Sequence, residues 1–250
     1  MNQWHLTQDL SLEISSATDE LHLFGALEKA AARMNFDHFA LAYDRRGLSE
    51  PGNLLVHNYP ESWATVYKGF DLGKADPVRR AGERALTGFS WQQIEHYVPL
   101  TAADRQMLSV GRENGLANGY TVPRHLVGEA SGSCTFVISQ DHDLPQHFLH
   151  TAEIVGATAL AAARRITGAK AVEPRPVLSE RQRECVLWSA RGKTASEIAA
   201  ILGISEETVV QHLKNARERY DVHGRQMLIL CALFDGLIGF SDIFDWWKPS

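Results

Sequence analysis

The sequence predicts an α+β protein in two parts: an N-terminal α/β/α sandwich with a mainly antiparallel sheet, then a C-terminal all-α unit of four short helices. Three observations carry this. Strand and helix patterns segregate up to Thr167 instead of alternating strictly, which favours a sheet covered by helices. The stretch GAKAVEPRP, Gly168 to Pro176, breaks the composition, and Pro174 and Pro176 forbid a continuous helix through it. Beyond that break, two capped helical patterns meet at a glycine.

Thr18 to Met34 places Leu21, Leu23, Phe24, Leu27 and Ala31 near helical spacing after an acidic first turn, which predicts an amphipathic helix. Asp37 to Tyr43 alternates and suits a strand; Leu54 to Tyr59 suits another, with a loop over Gly47 to Gly52 between them. Pro60 stands at a good first helical position, so a helix is predicted from there to about Phe70. Further helices are predicted over Ala75 to Leu86 and Thr101 to Asn114, the second opened by Thr101-x-x-Asp104. Ala117 to Leu126 and Ser131 to Ser139 read as central strands, the latter rich in β-branched and aromatic residues. Leu144 to Thr167 reads as one long helix. Its small apolar stretch, Val155 to Ala163, suits either core packing or a dimer interface.

In the second part, Thr194 opens a helix with Glu197 three residues on, a capping-box spacing. Ile198, Ala199, Ile201 and Leu202 form its predicted buried stripe, and Gly203 stops it. Ser205 caps a second helix that starts at Glu206 and runs to about Tyr220. Val209, Leu213, Ala216 and Tyr220 recur on its inward face. The opposite face carries Val210, Gln211, Lys214, Asn215 and Arg217, side chains able to reach base edges and phosphates. Geometry alone leaves this hairpin compatible with any helical bundle. The full string, Leu178 to Val222, resembles the LuxR-type helix-turn-helix at Arg181, Arg183, Glu184, Trp188, Gly192-Lys193-Thr194, Glu197-Ile198-Ala199, Thr208-Val209, His212-Leu213 and Asn215. Gln182 departs from it, standing where that family usually has Glu, but Ser179-x-x-Gln182 still makes a capping box. The resemblance implies a DNA-binding module. Lys193, Thr194, Thr208, His212 and Arg217 are then candidates for phosphate contacts, and Val210, Gln211 and Lys214 for base readout.

Composition sets bounds on the whole. With 250 residues, 44% hydrophobic and 22% charged, the chain can bury two modest cores and has the make-up of an ordinary globular protein. No apolar run approaches the length needed to span a bilayer, and MNQWHLTQDLSLEISS lacks the pattern of a secretory signal. Cys134, Cys185 and Cys231 lie far apart in apolar segments and read as buried free thiols of a cytoplasmic protein. The net charge of −5 argues against indiscriminate nucleic-acid binding. From Arg175 onward charges balance, so DNA affinity would come from charge placed on one face and from dimerisation.

In the first part, Tyr59, Trp63 and Tyr67 share a face at spacing i, i+4, i+8. On spacing alone an aromatic core stripe is favoured, although Tyr and Trp tips need polar partners that a ligand can supply. With Asp76-Pro77-Val78, Trp91 and Gly119-x-Thr121-x-Pro123, the stretch Leu21 to Thr167 resembles the autoinducer-binding domain of LuxR-type quorum-sensing regulators. That resemblance implies an N-acyl-homoserine lactone ligand. Trp63 would donate to the lactone carbonyl, Asp76 would accept the amide N–H, and Tyr59 would donate to the acyl carbonyl with Thr135 nearby. Tyr67 and Trp91 would pack on ring and chain. Phe39, Leu41, Tyr43 and Val78 are candidate walls for the acyl tail. Gly88, where the family often has Pro, is expected to loosen its loop.

Other signals are weaker. Asp141-His142-Asp143 with His147 and His150 fits a solvated loop as well as a metal site, and no recognised ligand spacing occurs; no metal or cofactor is expected. No nucleophile motif occurs, so an enzyme is not expected. In Gln226 to Leu237, Met227, Leu228, Leu230, Cys231, Leu233 and Phe234 exceed what one helix face buries. The tail with Phe240, Ile243, Phe244, Trp246 and Trp247 is expected to pack on this chain or on a dimer mate. The expected organisation is a lactone-binding and dimerisation domain over residues 1–168 and a linker over 169–176. A DNA-binding domain over 177–238 and an aromatic extension over 239–250 follow. Together they would make a cytoplasmic homodimer on a palindromic promoter element, with RNA polymerase as a further partner and no membrane. The alternative is a regulator of another small molecule, or of none, acting partly through protein contacts.

Overall fold

The computed structural model describes residues 2–44, 54–63, 76–124, 131–139, 143–168 and 176–244. The chain divides into two units, Met1–Ala169 and Lys170–Ser250.

The first unit is built on five strands: β1 (His38–Asp44), β2 (Leu54–His57), β3 (Phe89–Ser90), β4 (Asn118–Arg124) and β5 (Ser131–Ile138). They lie in the order β2-β1-β5-β4-β3, and every neighbouring pair is antiparallel. Side chains alternate across such a sheet, so each strand serves two layers.

One layer is α1 (Gln3–Ser16), α2 (Glu20–Arg33) and α7 (Leu149–Ile166). Sequence patterning had not marked α1, yet Asn2 caps it by accepting the Trp4 N–H, and Leu6, Leu10 and Ile14 recur every four residues on its buried face. Asp19 caps α2 through the His22 N–H at 2.9 Å. Its inward face is Leu23, Ala26, Leu27, Ala30 and Ala31; Leu21, expected inside, is 79% exposed. These helices cover Phe39, Leu41, Tyr43, Cys134, Phe136 and Ile138. Fully burying one such large side chain contributes about 1.5–3 kcal/mol. The small stretch of α7 belongs to this core: Val155, Gly156, Ala159, Leu160, Ala162 and Ala163 are all buried within the unit. Gly156 lets α7 lie close on β4, since a Cβ there would meet Val122 at 2.9 Å.

The other layer holds the helical residues 61–63 (α3), then α4 (Pro77–Gly82), a 3-10 turn at Trp91–Gln93 leading into α5 (Ile94–Tyr97), and α6 (Ala102–Glu113). α6 starts with the expected capping box between Thr101 and Asp104. The remainder of the helix expected up to Phe70, the loop at Gly47 to Gly52, and the residues Asp141 and His142 lie outside the described residues. Among the described residues, no three His, Cys, Asp or Glu side chains gather as a metal site, and no helix is long and apolar enough to cross a membrane.

The second unit contains α8 (Glu180–Ala190), α9 (Ala195–Leu202), α10 (Glu206–Arg219), α11 (Arg225–Phe234) and the short α12 (Phe240–Ile243). Ser179 and Gln182 form the capping box of α8, so the departure at Gln182 leaves the helix start intact. Gly203 ends α9 with φ of 68°, the left-handed conformation that glycine enters at least cost. Ser205 then accepts the Thr208 N–H and opens α10. Cys185, Ile198, Ala199 and Val209 form the core of this corner, while Ile201 turns outward and is 43% exposed, contrary to expectation. Val186, Ala216, Leu228, Ala232 and Ile238 form a second cluster. Of the cysteines, Cys134 and Cys185 are buried and Cys231 is half-buried; all three are free thiols. Of the tail, Ile243 packs against the second cluster, and Arg191 Nε donates to the Asp242 carbonyl at 2.7 Å; Phe240 and Phe244, expected to pack as well, stack on each other and are 52% and 38% exposed. Trp246 and Trp247 lie outside the described residues.

Candidate functional site

A cavity of about 210 Å³ lies on the sheet face opposite α1, α2 and α7. Its floor follows from strand register. Ala40 pairs with His57 on one side and Thr135 on the other; Ala42 pairs with Leu55 and Ser133. All six line the cavity. The alternation of β1 therefore runs opposite to the sequence expectation: Phe39, Leu41 and Tyr43 point into the helical core, and the small Ala40 and Ala42 leave room above them. Val78 does line the cavity, together with Arg79, Gly82 and Glu83 of α4 and Met107, Leu108 and Gly111 of α6.

The structure brings Tyr59, Trp63, Asp76, Trp91 and Thr135 together around this cavity; Tyr67 lies outside the described residues. Trp63 is 7% exposed and packs with Leu116, Val137, Tyr59, Trp91, Met107 and Val110, so it belongs to a core cluster and to the cavity wall at once. Asp76 is the N-cap of α4, accepting the Val78 N–H at 2.8 Å. Tyr59 sits between two imidazoles, with ring centroids 5.7 Å from His57 and 6.4 Å from His38.

Trp91 is fixed from two sides. Its indole Nε1 donates to Thr121 Oγ1 at 3.0 Å, and the Thr121 hydroxyl meets the Thr135 hydroxyl at 3.0 Å. Gly119 gives the ring its seat: a Cβ there would stand 2.8 Å from Trp91 Cε2. The segment before Trp91 is also held. The Glu153 carboxylate on α7 accepts the Gly88 N–H and the Tyr120 hydroxyl, each at 2.8 Å. Burial and that carboxylate push the Tyr120 hydroxyl pKa well above its ordinary value. The sequence predicts that Gly88 loosens this loop; in the structure its N–H, which proline would lack, anchors the segment to Glu153.

An ion pair ties α4 to α6. Arg80 of α4 places Nη2 2.6 Å from Oδ2 of Asp104 on α6. Burial alone would raise the Asp104 pKa. The N–H and hydroxyl of Thr101, with Arg80, outweigh it and hold the carboxyl below the usual carboxylate value.

In the second unit, α10 presents Thr208, Val210, Gln211 and Lys214 to solvent, with Val210 50% exposed. Lys214 Nζ is 3.8 Å from Glu218, a loose exposed pair that a phosphate or base edge can displace. Gln211 donates to Asn215 at 2.6 Å along the same face. Lys193 pairs with Glu197 at 3.3 Å, and Thr194 caps α9 through the Glu197 N–H at 3.3 Å. His212 is half-buried. Arg217 donates to the His223 carbonyl at 3.2 Å, so one of its donors already braces the turn after α10.

Sequence reasoning missed His57, Ser133, Met107 and Leu108 as lining residues and Thr121 as the brace of Trp91. The signal for Ser133 was its spacing of two from Thr135 on one strand face.

Comparison with known proteins bears on both units. The description "Autoinducer binding domain" matches residues 19–166, and "Bacterial regulatory proteins, luxR family" matches residues 176–232. The transcriptional activator protein VanR of Vibrio anguillarum is 30% identical over 188 residues, covering 74% of this chain and 77% of that protein. The HTH-type quorum sensing-dependent transcriptional regulator RpaR of Rhodopseudomonas palustris is 28% identical over 232 residues, covering 91% and 94%. The crystal structure of Escherichia coli SdiA superposes with a TM-score of 0.59 at 23% identity, covering 94% of this chain and 98% of that one, a likeness of fold.

Proposed function

The chain belongs to the luxR family of bacterial regulatory proteins and carries an autoinducer binding domain, and on that premise we propose that an N-acyl-homoserine lactone occupies the cavity of its first unit. The observation that supports this most is the convergence of Trp63, Tyr59 and Asp76 on one largely apolar cavity. A lactone amide offers one donor and several acceptors; two aromatic donors and one carboxylate are its complement. Asp76 spends one carboxylate lone pair on the Val78 N–H, which fixes the group's orientation towards the amide. Trp91 contributes its face, because its N–H is held by Thr121. The acyl tail runs over Ala40 and Ala42, where methyl-sized side chains leave depth, and its burial supplies much of the affinity.

The second unit reads DNA as half of a homodimer. Met227, Leu230 and Phe234 on α11 are 52%, 57% and 44% exposed, an apolar face that a second copy covers. Two α10 helices then enter successive major grooves of a palindromic promoter element. Val210, Gln211 and Lys214 read bases, while Lys193, Thr194, Thr208, His212 and Arg217 hold phosphates. Ligand stabilises the folded dimer by mass action, and the dimer, working in the cytoplasm, presents itself to RNA polymerase. The test is binding to a palindromic duplex with and without lactone. The reading requires a dimer-sized complex that strengthens with lactone and is lost when one half-site is scrambled. Equal binding to both duplexes, indifferent to lactone, would overturn it.

A further inference from the structure

The floor of the cavity carries a hydroxyl that the lactone reading leaves unassigned. Ser133 and Thr135 both face the cavity from β5. Thr135 is engaged with Thr121. Ser133 has Ala42 and Pro123 as its partners in register, and neither side chain can donate or accept. Among the described residues its hydroxyl makes no hydrogen bond, although it lines a cavity whose neighbouring walls are Leu55, Gly82 and Pro123. A plain alkyl tail laid on that surface would bury the hydroxyl unpaired, a loss of roughly tenfold in affinity. Arg79 and Glu83 of α4 line the same, otherwise largely apolar, cavity.

We propose that Ser133 is a specificity-determining residue that hydrogen-bonds an oxygen on the tail of the ligand, so that the preferred molecule is an acyl-homoserine lactone with an oxygenated tail. The inference rests on the lactone reading of the cavity. Distance places the oxygen: two residues along a strand span about 7 Å, roughly the reach of five or six extended carbons beyond the carbonyl that Thr135 adjoins. Such an oxygen lies beyond the carbons nearest the amide. The serine hydroxyl both donates and accepts, so a hydroxyl, phenol or keto group satisfies it. A hydroxyl on the tail costs affinity in an apolar cavity, and a preference for it therefore requires a partner on the protein.

The experiment is calorimetric titration of the full-length protein with two matched probes, N-octanoyl-homoserine lactone and N-(6-hydroxyoctanoyl)-homoserine lactone. The wild type is expected to bind the hydroxylated probe about fivefold more tightly. Ser133→Ala is expected to erase or invert that ratio, and Ser133→Thr, which keeps the hydroxyl on a residue suited to a strand, is expected to restore it. A wild type that prefers the plain octanoyl probe, or a ratio identical in wild type and Ser133→Ala, would overturn the role of Ser133 while both probes still bind. Absence of binding by either probe, together with no melting shift from lactones of any other chain length, would instead overturn the lactone reading, and this inference with it.

Discussion

Trp91 and Thr121 are joined by a hydrogen bond of 3.0 Å from indole nitrogen to hydroxyl oxygen, and Thr121 continues to Thr135 at 3.0 Å. A short β3 strand and the two central strands, β4 and β5, thus hold one aromatic wall of the cavity in place. Thr121→Val keeps the shape, removes the acceptor and leaves a half-buried indole N–H unpaired. The expected cost is about 1–3 kcal/mol in stability. Lactone affinity should fall by roughly tenfold, as the freed ring loses its fixed orientation. Thermal denaturation without ligand and titration with lactone separate the two effects.

Gly88 gives the clearest departure from what its sequence context suggests. Its N–H donates to Glu153, and a Cβ there would run into the Glu153 and Tyr120 side chains. Gly88→Pro therefore removes a charge-assisted hydrogen bond and inserts bulk. A loss of about 2–4 kcal/mol, read as a lowered melting temperature, is expected. A rise in melting temperature would show instead that loop entropy dominates at this position.

The same residues explain what could be read from the sequence and what could not. The antiparallel sheet, α2, α6, α7 and the two capped helices at Gly203 were legible because periodicity and caps are local signals. The phase of β1 was not: Phe39, Ala40, Leu41, Ala42 and Tyr43 are all apolar, so alternation of size, not of polarity, separates core from cavity. The two-residue β3 is too short for any pattern. Gly88 gained its partner from Glu153, 65 positions away, which no local reading reaches. α1 was readable in principle from Leu6, Leu10 and Ile14 and the Asn2 cap.

Asp104 makes the first unit sensitive to acid. Its folded-state pKa lies below the ordinary carboxylate value, so its stabilisation is fully present above that value and is lost as the pH falls through the folded-state pKa. Stability should therefore decline below about pH 4. Asp104→Asn, which leaves Arg80 without its carboxylate, should lower stability near neutrality by about 1.5–3 kcal/mol and flatten the acid limb. Denaturant midpoints from pH 7 down to pH 3 measure both; an unchanged acid limb in the variant would assign the pH dependence to other groups.

On the DNA-binding side, Lys214→Ala and Lys193→Ala should behave differently. Lys214 stands beside Gln211 on the exposed face of α10, so its loss should weaken discrimination between operator and mismatched duplex by about 1–3 kcal/mol per half-site. Lys193 lies just before Thr194, the N-cap of α9, and is proposed as a phosphate contact. Its loss should weaken all duplexes alike and reduce the salt slope by about one per half-site. Competition titrations at several salt concentrations distinguish them. A uniform loss for Lys214→Ala would reassign that side chain to the phosphates.

The central claim is that a lactone binds through Asp76. The most direct measurement is the melting temperature of the purified protein against acyl-homoserine lactones of increasing chain length, for wild type and Asp76→Asn. Asparagine is the right replacement because Asp76 also caps α4: it still accepts the Val78 N–H, but it turns an NH2 group where the carboxylate would meet the ligand amide. At a lactone concentration of one hundred times Kd the wild type should gain about 2.7 kcal/mol. That corresponds to a rise of roughly 5–10 °C, largest for one chain length. Asp76→Asn should melt at nearly the wild-type temperature without ligand and show little or no rise. A folded wild type that binds its DNA but shows no shift with any lactone, or an equal shift in Asp76→Asn, would contradict the account.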